Sequence, residues 1–221
     1  YGVYTFLEDL GCRWYSSKVT SIPKKPTITL PPLNIVQKPD FEYREPFYTD
    51  AFDADWAARN KCNSNSARLD ADRGGKVSYG KFVHTFAELL PPAKYYKDHP
   101  EYFSLVNGKR QDGYAQICMS NPEVLKIATD TVMKWIAESP NANIFSVSQN
   151  DAGLNCQCDK CQAIDAEEGS PSGLLLRFVN AIAEEVEKKY PDKLIDTLAY
   201  QWTEKPPKIT KPRPNVRVRL C

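Results

Sequence analysis

The sequence has no excess of charge of one sign: 29 Lys and Arg stand against 28 Asp and Glu over 221 residues, with the signs interspersed. Nucleic-acid and anionic-membrane binders usually carry a basic excess, so neither partner is expected. No apolar run approaches the roughly 18 residues of a membrane-spanning helix, and no charged-then-apolar leader stands at the front. No glycine-rich phosphate turn follows a strand pattern, which argues against a doubly wound nucleotide-binding sheet. The basic residues Lys205, Lys208, Lys211, Arg213, Arg217 and Arg219 are interleaved with prolines and have no repeated aromatic partner. They read as a solvated loop entering a strand.

What is present is the composition of a globular chain able to bury a sizeable core, 42% of it hydrophobic. Gly2 to Leu10 carry an apolar-periodic pattern closed by Gly11, which suits a left-handed helix end, and Arg13-Trp14-Tyr15 then reads as extended. Pro23, Pro26, Pro31, Pro32 and Pro39 deny a helix and favour an extended connector. A domain boundary is expected near residue 40, with 1–39 the end of a small α/β domain plus linker.

Beyond it, strand-like and helix-like segments alternate: extended Phe41 to Tyr48, a helix from about Ala51 to Asn60, and extended patches at Asn63 to Leu69 and Val77 to Thr85. Glu88 to Ser120 is polar and aromatic with little periodicity, a candidate active-site wall. Asn121 as N-cap, Pro122 at the first helical position and the stripe Leu125, Ala128, Val132, Trp135, Ile136 define the next helix. Ile144 to Ser148 reads as a buried strand. A second helix starts near Ser170 or Ser172 and presents Leu175, Phe178, Val179, Ile182 and Val186, with Pro191 after it. Leu194 to Tyr200 and Val216 to Leu220 supply two more strands.

Six strands in 40–221, with helices between several, fit a (β/α)8 TIM-type barrel about two strands short of closure. The chain starts at Tyr1, and its last strand pattern has no turn after it, which fits a piece of a longer protein.

In such barrels reactive side chains sit at strand C-terminal ends. Ser148-Gln149-Asn150-Asp151 follows an apolar run, where Asp151 could serve as a general acid or fix a hydroxyl and Gln149 and Asn150 could bind the substrate beside it. A plain turn at Asn150-Asp151-Ala152-Gly153 is the alternative. Trp202, with Tyr200 and Gln201 beside it, could stack on a pyranose face. His84 ends the third strand pattern as a polar contact or as a structural histidine bonded to backbone.

Gln116-Ile117-Cys118-Met119-Ser120-Asn121-Pro122, a helix, then Ile144 to Asp151, resembles the glycoside hydrolase family 20 pattern of a cysteine-proline patch, a helix and a fourth strand ending in Asp-Glu. The whole chain more closely resembles the bacterial domain of unknown function 4838. That rests on His84-Thr85-Phe86, Leu90-Pro91-Pro92, His99-Pro100-Glu101-Tyr102-Phe103, Asn107-Gly108-Lys109-Arg110, Ser148 to Asp151 and Cys156-Gln157-Cys158-Asp159-Lys160-Cys161. The entry, Gly2 to Gly11 then Arg13-Trp14-Tyr15, is similar to the end of the domain preceding the barrel in family 20 hexosaminidases and family 67 α-glucuronidases. The resemblance implies a carbohydrate substrate, no cofactor, and a sugar-binding role for Arg44 and for His84. A surface pair of Arg44 with Glu42 or Glu45 is the rival for Arg44. The chain departs from the hexosaminidase pattern in having Asn150-Asp151 where that pattern has Asp-Glu, so its acid is one methylene shorter and its neighbour is no anion.

Cys156-x-Cys158-x-x-Cys161 can be read in two ways. Zinc would need a fourth ligand, Cys118 or a histidine. Disulfides, for instance from Cys118 to one of the three, would suit an oxidising compartment. The resemblance to exported bacterial polysaccharide degraders favours disulfides and a periplasmic or extracellular location.

Overall fold

A computed structural model describes residues 1–30 and 32–221, which fall into two compact units, Tyr1–Ser78 and Tyr79–Cys221. The boundary expected near residue 40 falls inside the first unit. Pro31 lies outside the described residues.

In the first unit, helix α1 (Gly2–Asp9) ends at Gly11, whose φ of +101° is the left-handed conformation that glycine tolerates. The Cys12 N–H then reaches back to the Leu7 carbonyl at 3.0 Å. Strands β1 (Arg13–Trp14) and β2 (Thr20–Ser21) form a short antiparallel pair. Residues 24–30 and 32–42 are exposed and outside any helix or strand, as the prolines require. Helix α2 (Ala54–Arg59) is shorter than expected because Asp53 caps it, accepting from the Trp56 N–H at 2.7 Å. A small core forms around Trp56, Ala57, Ala58 and Leu69.

Two expected strands are corrected here. Phe41 to Tyr48 and Asn63 to Leu69 are neighbours but form no strand. Side chains take over the cross-chain bonds: Asn63 Oδ1 accepts from the Arg44 N–H at 2.8 Å, and Glu45 Oε1 accepts from the Ser66 N–H at 2.8 Å. Such side-chain bonds to backbone displace a regular ladder.

The second unit begins with strand β3 (Tyr79–Lys81), followed by two single-turn helices, α3 (Phe86–Leu89) and α4 (Pro92–Tyr95). A hairpin of β4 (Leu105–Val106) and β5 (Lys109–Arg110) turns on Asn107 and Gly108, both with positive φ, the combination that a tight two-residue hairpin demands. The stretch read as a loop wall is therefore largely structured, with Tyr102, Phe103 and Ile117 buried. Helix α5 (Pro122–Glu138) starts at Asn121, whose Oδ1 accepts from the Glu123 N–H at 2.9 Å, and buries Val124, Ala128, Val132, Trp135 and Ile136. Strand β6 (Ile144–Ser146) follows, then helices α6 (Asp159–Glu168) and α7 (Pro171–Lys189), the latter capped by Ser170. Strands β7 (Leu194–Ala199) and β8 (Val216–Leu220) complete the unit. No helix among the described residues is long and apolar enough to cross a membrane.

Strands β3, β6, β7 and β8 make one parallel sheet in that spatial order. Of the six expected strands, four enter this sheet. Neighbours in space follow one another along the chain, whereas a doubly wound sheet reverses at a switch point. Phe145, Val147, Ile195 and Val216 join the residues buried with α5 and α7 in the main core. The other face carries Ser146, Asp196 and Arg219.

The register shifts between Tyr79 and Lys81, and Gly80 stands at that irregularity. A Cβ there would lie 2.2 Å from Cε1 of the buried Phe145 ring. Gly80→Ala is expected to destabilise the fold by about 1–3 kcal/mol through overpacking. Urea denaturation measures it, and an unchanged midpoint would mean that the ring can yield.

Candidate functional site

The backbone leaving β6 enters an irregular segment at the C-terminal end of the sheet. Ser148, Gln149 and Asn150 are buried, and Asp151 is the first exposed residue. Buried irregular backbone needs partners for every N–H and C=O. The Ser148 carbonyl accepts from the N–H groups of Thr85 and Phe86, each at 3.1 Å. Gln116, fully buried, places Nε2 within 3.1 Å of the Asn150, Ala152 and Gly153 carbonyls and accepts the Asn150 N–H at 3.1 Å through Oε1.

Gln149 and Asn150, expected to bind substrate, lie buried beneath the exposed Asp151. Gln149 Nε2 donates to Thr203 Oγ1 at 2.7 Å and lies 3.3 Å from the Leu198 and Tyr200 carbonyls. Asn150 donates to the Ala115 carbonyl at 2.6 Å and accepts from the Ala87 N–H at 3.0 Å. Both side chains are held by groups of the fold itself, Gln149 through Nε2 alone, since its buried Oε1 has no partner among the described residues.

Four other expected residues do come together. Asp151 Oδ1 accepts from the Tyr200 hydroxyl at 3.0 Å and from Gln201 Nε2 at 3.2 Å, and the Asp151 N–H donates to the Tyr114 hydroxyl oxygen at 3.2 Å. Trp202 Nε1 donates to the Ala152 carbonyl at 3.3 Å. The His84 ring stands 5.6 Å from that of Tyr200. His84 Nδ1 lies 2.8 Å from the Gln149 carbonyl, which can only accept, so Nδ1 carries the proton and Nε2 is the acceptor of the neutral ring. Val83 and His84 have φ of +38° and +43°, and Gln201 has +52°. Positive φ is costly for residues with a Cβ, above all for a β-branched valine, and such strain gathers at functional sites.

Arg44 belongs to the first unit, whereas every member of this cluster belongs to the second. Its guanidinium donates to the Lys61 carbonyl at 2.9 Å and the Phe41 carbonyl at 2.6 Å, and covers the Tyr1 ring. The Glu45 carboxylate is taken by the Tyr43 hydroxyl and the Ser66 N–H. Arg44 thus ties its own segment together.

The expected disulfide from Cys118 is not formed. All seven cysteines are free thiols, and the Sγ atoms of Cys118, Cys156, Cys158 and Cys161 lie within 4.8 Å of one another. Cys118 approaches Cys158 at 3.7 Å and Cys161 at 3.9 Å, well beyond a covalent S–S bond.

The sequence reading missed Gln116 and Asp196. Gln116 was visible only as part of a family pattern, and its bonding partners lie 34 or more residues away. Asp196 had a signal: one carboxylate inside the apolar run Leu194-Ile195-Asp196-Thr197-Leu198. It is 2% exposed and accepts from Ser146 Oγ at 3.0 Å and the Tyr79 hydroxyl at 3.2 Å, with Arg219 Nε at 3.8 Å. Burial pushes its carboxyl up to about 6, against the opposing pull of Arg219, Ser146 and Tyr79. Perturbed carboxylates inside folds mark functional candidates as well as structural networks.

The family model described as a domain of unknown function, DUF4838, matches residues 14–221. No curated protein matches the sequence. Among solved structures, similarity reaches a GH36 α-galactosidase variant, AgaA from Geobacillus stearothermophilus, in complex with stachyose. The match has 14% identity and a TM-score of 0.30, and covers 46% of this chain and 14% of that one.

Asp196 makes stability depend on pH. The folded carboxyl titrates near 6, the unfolded one near 3.9, so between these values the folded chain holds more protons. Its contribution is therefore full below about pH 4 and is lost as pH rises through 6. Asp196→Asn lacks this dependence and should gain on wild type by about 3 kcal/mol between about pH 4 and pH 7. Urea denaturation at both pH values checks it; parallel profiles for the two proteins would contradict it.

Proposed function

The chain belongs to the DUF4838 family, and from that premise we propose that it is a carbohydrate-acting domain, part of a glycoside-hydrolase-like (β/α)8 barrel. The observation that carries the reading is Asp151: an exposed carboxylate just beyond the C-terminal end of a parallel strand, held by Tyr200 and Gln201, with His84 against the Tyr200 ring and Trp202 bonded to the carbonyl of the next residue. Consecutive parallel strands in sequential order are the arrangement from which such a barrel is built, and their C-terminal ends are where such barrels do chemistry.

In this reading Asp151 protonates the leaving glycosidic oxygen or anchors a sugar hydroxyl. Tyr200 and Gln201 fix its Oδ1, and the His84 Nε2 acceptor and the Trp202 ring receive hydroxyl and C–H faces of the sugar. A hydrolase of this kind also uses a second carboxylate, ~5 to 10 Å from the first. Export from a bacterial cell to the periplasm or beyond belongs to the same proposal, since polymeric glycans are met there.

A second reading is a non-catalytic carbohydrate-binding barrel. The exposure of Asp151 favours it, because a general acid usually works in an apolar, water-poor setting.

Turnover of aryl-glycosides and aryl-glucuronides by wild type and Asp151→Asn tests the first reading. The substitution is expected to lower kcat about a hundredfold or more, whereas equal turnover would remove Asp151 from the mechanism. Glycan binding measured by calorimetry, retained without turnover in wild type, would select the second.

A further inference from the structure

We propose that Cys118, Cys156, Cys158 and Cys161 bind one zinc ion as a four-thiolate structural centre beneath the Asp151 loop. The sulfurs come from three places: the segment preceding α5 (Cys118), the loop after β6 (Cys156), and the start of α6 (Cys158 as its N-cap, Cys161 in its first turn). Their Sγ atoms lie within 4.8 Å of one another, with Cys118 3.7 Å from Cys158 and 3.9 Å from Cys161. A tetrahedral zinc with sulfur at ~2.3 Å sets its ligands ~3.8 Å apart. One disulfide would use two of these sulfurs and leave the other two converging for no purpose.

The surroundings supply the donors that metal-bound thiolates require. The Leu105 N–H donates to Cys156 Sγ at 3.4 Å, and Arg110 Nη1 approaches the same sulfur at 3.9 Å with a positive charge. Ser120 Oγ stands 3.1 Å from Cys161 and 3.6 and 3.7 Å from Cys118 and Cys158. The N-terminal end of the ten-residue α6 adds its positive dipole end. Cys118, Cys156 and Cys161 are buried.

Helix α6 provides the independent argument. Only Cys161 and Glu168 of its ten residues are buried, and Ile164 alone adds a partly buried apolar side chain packed on the core, so its apolar face is thin. A metal at one end and the Glu168 bonds at the other would fix it without a broad one. The chain links this centre to the candidate site. Cys118 lies two residues from Gln116, whose amide holds the loop carbonyls, and Cys156 lies five residues after Asp151. The zinc centre rests on the sulfurs alone and is independent of what the Asp151 site does.

The chain purified from zinc-supplemented culture is expected to carry about one zinc by plasma mass spectrometry, and to show all seven thiols on denaturation without reductant. Cobalt(II) exchanged into it should give thiolate-to-metal charge transfer and the intense d–d bands of a tetrahedral site. Cys161→Ser should weaken zinc binding about tenfold or more in competition with a chelator, while Cys221→Ser leaves it unchanged. If Cys161→Ser does not fold, the metal content, thiol count and cobalt spectrum of wild type still decide. A wild-type chain without metal, whether its thiols are free or paired, overturns the proposal, and iron in the centre overturns the choice of zinc.

Discussion

The candidate site rests on buried side-chain amides that take the place of a β-ladder. Beyond Ser146 the chain turns away from regular pairing while still enclosed, and each buried N–H or C=O left alone would cost ~1–3 kcal/mol. Gln116, Gln149 and Asn150 meet that requirement from three directions, bonding to the segment 150–153, to the backbone after β7 and to the start of α3. Because an amide both donates and accepts, it can mimic a peptide group where no strand is available. The result is a stiff seat from which Asp151 projects.

The sheet face opposite the helices shows a different balance. Asp196, Ser146, Tyr79 and Arg219 put polar groups from all four strands into one network. The carboxylate is desolvated more than it is compensated, so the network does not maximise stability at neutral pH. Strained backbone at Val83 and His84 adds a second local cost close to the rim. Both features are offset by the apolar contacts of α5 and α7 with the other face.

Glu168 illustrates how the same residue type behaves when fully satisfied. It is buried, yet the Thr210 hydroxyl at 2.5 Å, the N–H groups of Ile209 and Thr210, and Arg177 hold its carboxyl down to about 2 against the effect of burial. It thereby fastens the proline-rich segment before β8 to the junction of α6 and α7. Gly173 gives it room, since a Cβ there would lie 2.2 Å from Glu168 Cγ.

Helix starts, apolar stripes and buried strands were legible in the sequence because their causes act over a few residues. Asn121 before Pro122, Ser170 before Pro171, and the runs at Ile144, Leu194 and Val216 each carry their own signal. The Asn107-Gly108 hairpin was equally local and was overlooked. Phe41 to Tyr48 failed as a strand because a strand is defined by its partner, and its partner bonds through side chains. What only the tertiary structure decided is which polar residues lie inside. Gln149 and Asn150 read like Asp151 in sequence, and they differ because Ala115, Ala87 and Thr203, between 35 and 63 residues away, supply bonds to two of the three. The four thiols likewise meet across up to 43 residues. A residue's chemistry is written in its side chain, but its burial is set by segments that the chain brings back from far along its length.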